Sequence, residues 1–282
     1  MRKTDSSSIS FTAYYTGEVW RQHGLSSDVF ATRTGRVLYT LGRPVEAIAQ
    51  TLAGASIGTT LLQRHHIIDA IVKRAIEQQG VCQVVEIACG LSPRGVRLCA
   101  QYPHVHYIEA DLPDMAAHKR QLLQQHGVLS ARHRVVEINI LDHQGAQSVA
   151  AVFAQHLDPT RKTLVITEGL VNYFELAVIS EFWQRLALAL GGFPLGGYVT
   201  DLYPNLTGHP IVRLSQGFKR SLAWATRSAV TLHFHDTAAI QAGFVACGFA
   251  TCTVHQPEAY AGVLPLPTSK IASLVRVIEN WV

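Results

Sequence analysis

VVEIACGLSPRGVR, residues Val84 to Arg97, reads as a buried strand, a tight glycine turn and the start of a helix in succession. Val84, Val85 and Ile87 form the short β-branched run of a central parallel strand. Gly90 lets the backbone approach a ligand with no Cβ in the way, Ser92 is placed to cap the helix, and Pro93 suits its first turn. The free N–H groups and the positive dipole end of such a helix face the crevice beyond the strand's carboxyl end, where ligands of open α/β sheets bind. The strand ends Glu86-Ile87-Ala88-Cys89-Gly90, an E-x-A-x-G pattern without the third glycine of a dinucleotide fingerprint. The pattern therefore suits a nucleoside without a pyrophosphate.

Outward from this stretch, the 282-residue chain is 48% hydrophobic and 16% charged, ample for a globular core. Its net charge of +4, from 24 basic and 20 acidic residues, is spread along the chain, so neither nucleic acid nor a membrane surface is implied as a partner. Cys82, Cys89, Cys99, Cys247 and Cys252 are odd in number and form no C-x-x-C pair, which predicts free thiols and a cytoplasmic setting. No signal peptide is read before Phe11, and the uncharged run Leu186 to Thr200 is too interrupted by Gly and Pro to span a bilayer.

Aromatic residues from Ser10 to Leu25 and a second stretch near Ser27 to Leu41 predict helices. Ile57, Leu61, Ile68, Ile71, Val72 and Ala75 recur at helical period until Gly80. Strands are expected at Val84 to Ala88, Val105 to Ala110, Arg134 to Ile140, Thr163 to Thr167 and Gly197 to Leu202, with helices between them. This alternation predicts an α/β fold built on a mostly parallel sheet. A helix at Ile211 to Ala229 breaks the alternation and reads as an insertion over the pocket. A helix from Asp236, a strand from Gly248 to His255 and a last strand from Ser273 to Trp281 resemble, as a fold-level analogy, the close of a Rossmann-like seven-stranded methyltransferase sheet, in which the last strand is antiparallel. The expected organisation is an N-terminal helical cap (1–80) and a cofactor-binding domain (81–282) that includes an inserted lid (203–230), forming one compact unit.

The runs IACGLSPRGVRL, YIEADLPDMAAHKRQLL and ITEGLVNYF, in this order and spacing, resemble the leucine carboxyl methyltransferase and polyketide O-methyltransferase family, a branch of the class I S-adenosylmethionine-dependent methyltransferases. Ala88 stands where the family usually has glycine, and Ser92-Pro93 where it has Asp-Thr. The resemblance implies S-adenosyl-L-methionine as cofactor. It also implies that Glu109, at the end of the second strand, accepts the ribose hydroxyls, and that Arg64 holds the methionine carboxylate through a bidentate pair that lysine cannot copy. Glu86, Ala88 and Gly90 line the same site. Asn139 and Ile140 stand where the family has Asp-Leu and would hold the adenine; Asn139 is equally a turn former. Asp111 reads either as a helix cap or as a ligand contact. Arg94, a cation at the unfavourable end of a helix, needs an anionic partner such as Glu86 or the ligand.

Glu168 and Tyr173 follow the fourth strand, where the transferable methyl group should lie, and are the candidate catalytic residues. Tyr14, Tyr15, Asn172, Tyr203 and Arg213 are the candidate acceptor contacts. No metal-ligand spacing emerges. The expected function is O-methylation of a small secondary-metabolite or polyketide-like carboxylate. A phenolic acceptor is the alternative and would need a base, for which His233 and His235 are the candidates. An inactive cofactor-binding module remains open, and the oligomeric state is not legible.

Overall fold

The computed structural model describes residues 6–53, 56–205, 231–269 and 272–282. The inserted helix expected at 211–229, with Arg213, lies outside them. Seven strands form one sheet: β1 (Gln83–Ile87), β2 (His106–Asp111), β3 (His133–Glu137), β4 (Thr163–Thr167), β5 (Gly196–Leu202), β6 (Thr251–His255) and β7 (Arg276–Trp281). Their order is β3-β2-β1-β4-β5-β7-β6, with β7 antiparallel to both neighbours and the rest of β1 to β5 parallel. The strand order reverses direction between β1 and β4, which pair Ile87 with Thr167. A crevice therefore opens beyond the carboxyl ends of these two strands.

Side-chain alternation along the strands divides the core. Val85, Ile87, Ile108, Val165 and Tyr198 pack on one face, where they meet α6 (Val149–His156), α7 (Leu176–Leu190) and α8 (Thr237–Ala246). Val84, Tyr107, Leu164, Ile166 and Val199 pack on the other, against Ile67, Ile68, Ile71 and Val72 of α3 (Ile57–Gln79) and Leu98 of α4 (Arg94–Gln101). α3 starts at Ser56, whose hydroxyl accepts the Thr59 N–H, and stops at Gly80 in the left-handed region (φ 76°). It is thus a sheet-covering helix continuous with the core.

Three expectations shift. The helix expected near Ser27 to Leu41 is a 3-10 turn (Asp28–Phe30) followed by α2 (Arg33–Ala53), which runs through Pro44. Packing outweighs the breaker here: α2 lies along α1 (Ser6–Gln22), and a Cβ on Gly35 would sit 2.7 Å from the Tyr14 carbonyl oxygen. α4 begins at Arg94 with Pro93 as its N-cap residue, so Ser92 sits one position earlier than expected, although its hydroxyl still accepts the Arg94 N–H at 3.3 Å. β3 ends at Glu137, before Asn139 and Ile140.

Candidate active site

The crevice forms a partly open cavity between the strand ends and the N-terminal helices. Its floor comes from the strand ends: Glu86, Ala88 and Gly90 from β1 and its turn, Asp111 and Leu112 after β2, Glu168 and Gly169 after β4, and Asp201 from β5. Thr12, Ala13, Thr16 and Trp20 of α1 form a roof, and Leu61 and Arg64 of α3 form a wall. The β1 turn is sharp because Ala88 (φ 54°) and Gly90 (φ 46°) both occupy the left-handed region, which costs a non-glycine residue about 1–2 kcal/mol. At Gly90 the conformation and the space both demand glycine, since an added Cβ would lie 3.0 Å from that of Ala13.

Asp111 reaches back under this turn. Its Oδ2 accepts the Gly90 N–H at 2.7 Å and its Oδ1 accepts the Leu112 N–H at 2.8 Å. A carboxylate so held keeps lone pairs for further donors on the cavity side. Burial raises its pKa, opposed by these two backbone donors.

An ionic network runs behind the floor. The fully buried Arg94 donates to Asp69 Oδ1 (2.7 Å), to Glu86 and to Glu168 Oε2 (2.6 Å). Tyr107 donates its hydroxyl to the other oxygen of Glu86 at 2.7 Å. Arg64 Nε donates to Glu168 Oε1 and Arg64 Nη1 to Asp201 Oδ2, both at 3.1 Å. Asp201 Oδ1 accepts the Gly169 N–H at 2.6 Å. His65, tilted against Trp20, has Nδ1 at 2.9 Å from both Glu168 Oε2 and Arg94 Nη2, and Nε2 at 2.8 Å from Arg97 Nη2. Although burial alone would raise it, the pKa of Glu168 is held well below the usual range by His65 and the two arginines. The anionic partner that Arg94 needed at its helix start is thus threefold.

Of the residues singled out in the sequence, Arg64, Glu86, Ala88, Gly90, Glu168, Asn172, Tyr173 and Tyr203 all come to the cavity wall. Glu109 does not. It points into the layer between the sheet and α4, fully buried, 3.0 Å from Lys119 Nζ and 3.3 Å from His133 Nε2. Gly95 is required above it, since a Cβ there would lie 2.2 Å from Glu109 Oε1. The acid that reaches the cavity from β2 is Asp111. Asn139 forms a turn, its Oδ1 accepting the Leu141 N–H at 3.0 Å, and Ile140 is packed in the core under α6 and α7. Tyr14 packs edge-on against His118, and Tyr15 packs toward Tyr39 on α2. Neither is among the lining residues, because α1 turns Thr12, Thr16 and Trp20 inward at helical spacing.

Asn172 lines the cavity, but its amide is committed to the backbone. Its Oδ1 accepts the Tyr203 N–H (2.8 Å), and its Nδ2 donates to the carbonyls of Thr231 (2.6 Å) and Tyr203 (3.2 Å). Asn172→Asp would set a carboxylate oxygen against those two carbonyls. It should destabilise the fold by at least about 2 kcal/mol, more than Asn172→Ala, as read by chemical denaturation. Equal stability of the aspartate variant would remove this role.

A family model described as leucine carboxyl methyltransferase matches residues 30–186, more than half of the chain. The chain belongs to the leucine carboxyl methyltransferase family. It is 39% identical over 95 residues to a Mycobacterium avium protein provisionally named an S-adenosyl-L-methionine-dependent methyltransferase, an alignment covering 33% of this chain and 29% of that one. A similarly named Mycolicibacterium smegmatis protein is 35% identical over 101 residues, 36% of this chain and 32% of the relative. The chain thus matches less than a third of the length of these curated relatives. Among solved structures, a DUF574 family protein from Streptomyces avermitilis superposes with a TM-score of 0.61 at 13% identity, covering 95% of both chains. A provisionally named methyltransferase from Thermobifida fusca gives 0.60 at 13% identity, covering 97% of this chain and 93% of the other. These two likenesses concern the fold. Among the described residues of this leucine carboxyl methyltransferase family member, no helix is long and apolar enough to cross a membrane.

Proposed function

We propose that this protein is an S-adenosylmethionine-dependent O-methyltransferase acting on a small carboxylic acid. The donor set at the switch-point cavity fits the cofactor: an acid with spare lone pairs after β2, a guanidinium on α3, and apolar surface from Leu91, Leu112 and Met115 between them. Asp111 takes the ribose hydroxyls, Arg64 faces the methionine carboxylate, and Leu112 and Met115 flank the adenine. When bound, the cofactor supplies an electrophilic methyl group on a sulfonium. The chain's part is to bind, orient and exclude water. Thr12 and Tyr173, whose hydroxyls lie 3.4 Å apart, join the roof to the β4 loop over the floor. Glu168 has both oxygens engaged by Arg64, His65 and Arg94, so it acts by fixing Arg64 and by its charge near the sulfonium.

The observation that carries the carboxylate reading is that the described wall contains no histidine or lysine. Burial holds the phenols of Tyr173 and Tyr203 above their ordinary pKa, so neither is ionised at neutral pH. His233 is buried beside the backbone of Val171 and Phe174 with its pKa lowered by desolvation, and His235 is exposed 3.4 Å from Asp236. Neither histidine lines the cavity. An acceptor that is already an anion needs no base. The rate should therefore show no base-dependent step between about pH 7 and 9, and the product should be a methyl ester cleaved by mild alkali. His233→Ala and His235→Ala should turn over near normally. An alkali-stable ether, or a loss of about 10² or more in either variant, would establish a phenolic acceptor instead.

A further inference from the structure

Lys119 of α5 (Pro113–Gln125) is wholly buried, with Glu109 Oε2 at 3.0 Å and the Phe30 ring centroid at 5.7 Å. His133 Nε2 lies 3.3 Å from the other oxygen of Glu109. The three groups are buried and within ion-pair distance of one another. In a low-dielectric interior the potential of a buried ammonium is weakly screened and reaches its surroundings.

Its place in the fold suggests a use. Glu109 and Asp111 are alternate residues of β2 and so share a sheet face, with Asp111 at the strand end in the cavity and Glu109 one step below it. α5 starts immediately after Asp111 and carries Lys119 back over that face. The groups that act on Asp111 are Cys89 from the β1 turn and Lys119 from α5; Lys119 is paired with Glu109, which also meets His133, and Asp114 lines the cavity beside Asp111. Lys119, whose ammonium its acidic neighbours stabilise against the opposing effect of burial, carries the positive charge of this set.

We propose that Lys119 supplies, from beneath the cavity floor, the positive potential against which Asp111 presents its carboxylate to the cofactor, so that Lys119 is a positioning residue for cofactor binding and Glu109 is its counter-ion. The inference rests on the reading that Asp111 receives the cofactor's hydroxyls. Among the electrostatic influences on Asp111, Lys119 works against the upward push of burial. The sign follows: cofactor binding that needs ionised Asp111 weakens as pH falls through the pKa of that group, and removing a nearby cation moves this acid limb to higher pH.

The test is calorimetric titration with S-adenosylhomocysteine from about pH 4.5 to 8, a window that spans the carboxylate range. Lys119→Met should move the acid limb up by about one pH unit, and Glu109→Gln should move it down. Either single variant leaves a buried charge uncompensated and can fail to fold, so the charge-balanced double variant Glu109→Gln/Lys119→Met decides. It should fold, show an upward shift smaller than that of Lys119→Met because the two removals oppose each other, and bind more weakly than the native protein near the limb. Lys119→Arg should restore the native profile, which a purely space-filling role would not require. Asp111→Asn should lose that portion of the limb altogether. A double variant with the native limb and native affinity, in a protein whose Asp111→Asn variant binds weakly, overturns this proposal alone. Full affinity of Asp111→Asn overturns the cofactor reading and this proposal with it.

Discussion

Replacing Arg94 by methionine is expected to remove about 3 to 5 kcal/mol of folding stability, the cost of breaking a buried ion pair from one side. Arg94 is 0% exposed and is the shared partner of Asp69, Glu86 and Glu168, which come from α3, β1 and the β4 end. Methionine fills much of the volume but removes a counter-charge from three carboxylates whose side chains are buried. The pH dependence should distinguish this from simple loss of packing. In the native protein Asp69 and Glu168 have lowered pKa values, so the stability they contribute is present above the unfolded carboxylate value and is lost as pH falls through that region. In the variant Asp69 keeps Arg97 and Glu168 keeps Arg64, but each loses one cation and its pKa rises relative to the native protein, so the deficit should shrink as pH is lowered into the carboxylate range. Urea denaturation at several pH values measures both. A deficit independent of pH would mean the network contributes shape and not charge.

The second large effect is expected at Asp111. Asp111→Ala removes the acceptor of the Gly90 and Leu112 N–H groups as well as the proposed contact to the ribose hydroxyls. Hydrogen bonds to a charged group are worth about 1.5 to 3 kcal/mol each, so cofactor affinity should fall by at least about tenfold, and by more than a hundredfold if two such bonds are lost. Glu109→Ala should behave oppositely. It strands the buried Lys119 and should cost stability, while affinity for the cofactor at neutral pH stays near native. Calorimetry and denaturation on the two variants separate the roles of two acids that stand two residues apart. Tenfold weaker binding in Glu109→Ala with unchanged Asp111→Ala would restore the ribose contact to Glu109.

That pair shows how far the sequence is readable. The strands and the turn after β1 were legible because β-branched runs and a glycine at a strand end follow from local geometry, and the alternation with helices fixed the sheet. Which acid of Glu109-Ala110-Asp111 reaches the cavity was not, since both lie on the same face of β2 and either satisfies a strand-end pattern. The choice is made by Lys119, which α5 brings over Glu109. Similarly, Tyr14 and Tyr15 drew attention as aromatics, yet the rotation of α1 sends Thr12, Thr16 and Trp20 to the cavity. The spacing of those three by four residues was present in the sequence, but small hydroxyl side chains give no signal of a ligand wall until the helix is docked. Arg94 is the converse case: a cation at a helix start is locally unfavourable, and that local conflict correctly pointed to a buried anionic partner.

The Asn172 amide has a consequence for how this fold opens. Asn172 holds both Tyr203, just after β5, and Thr231, ahead of α8, while Asn205 N–H meets the Phe234 carbonyl at 2.6 Å. The β4 loop, the end of β5 and the approach to α8 are therefore pinned to one another through a single side chain. Local opening of any one of the three breaks the hydrogen bonds of the others, so they form one cooperative unit at the cavity wall, and the amide hydrogens of Tyr203 and Thr231 should exchange together.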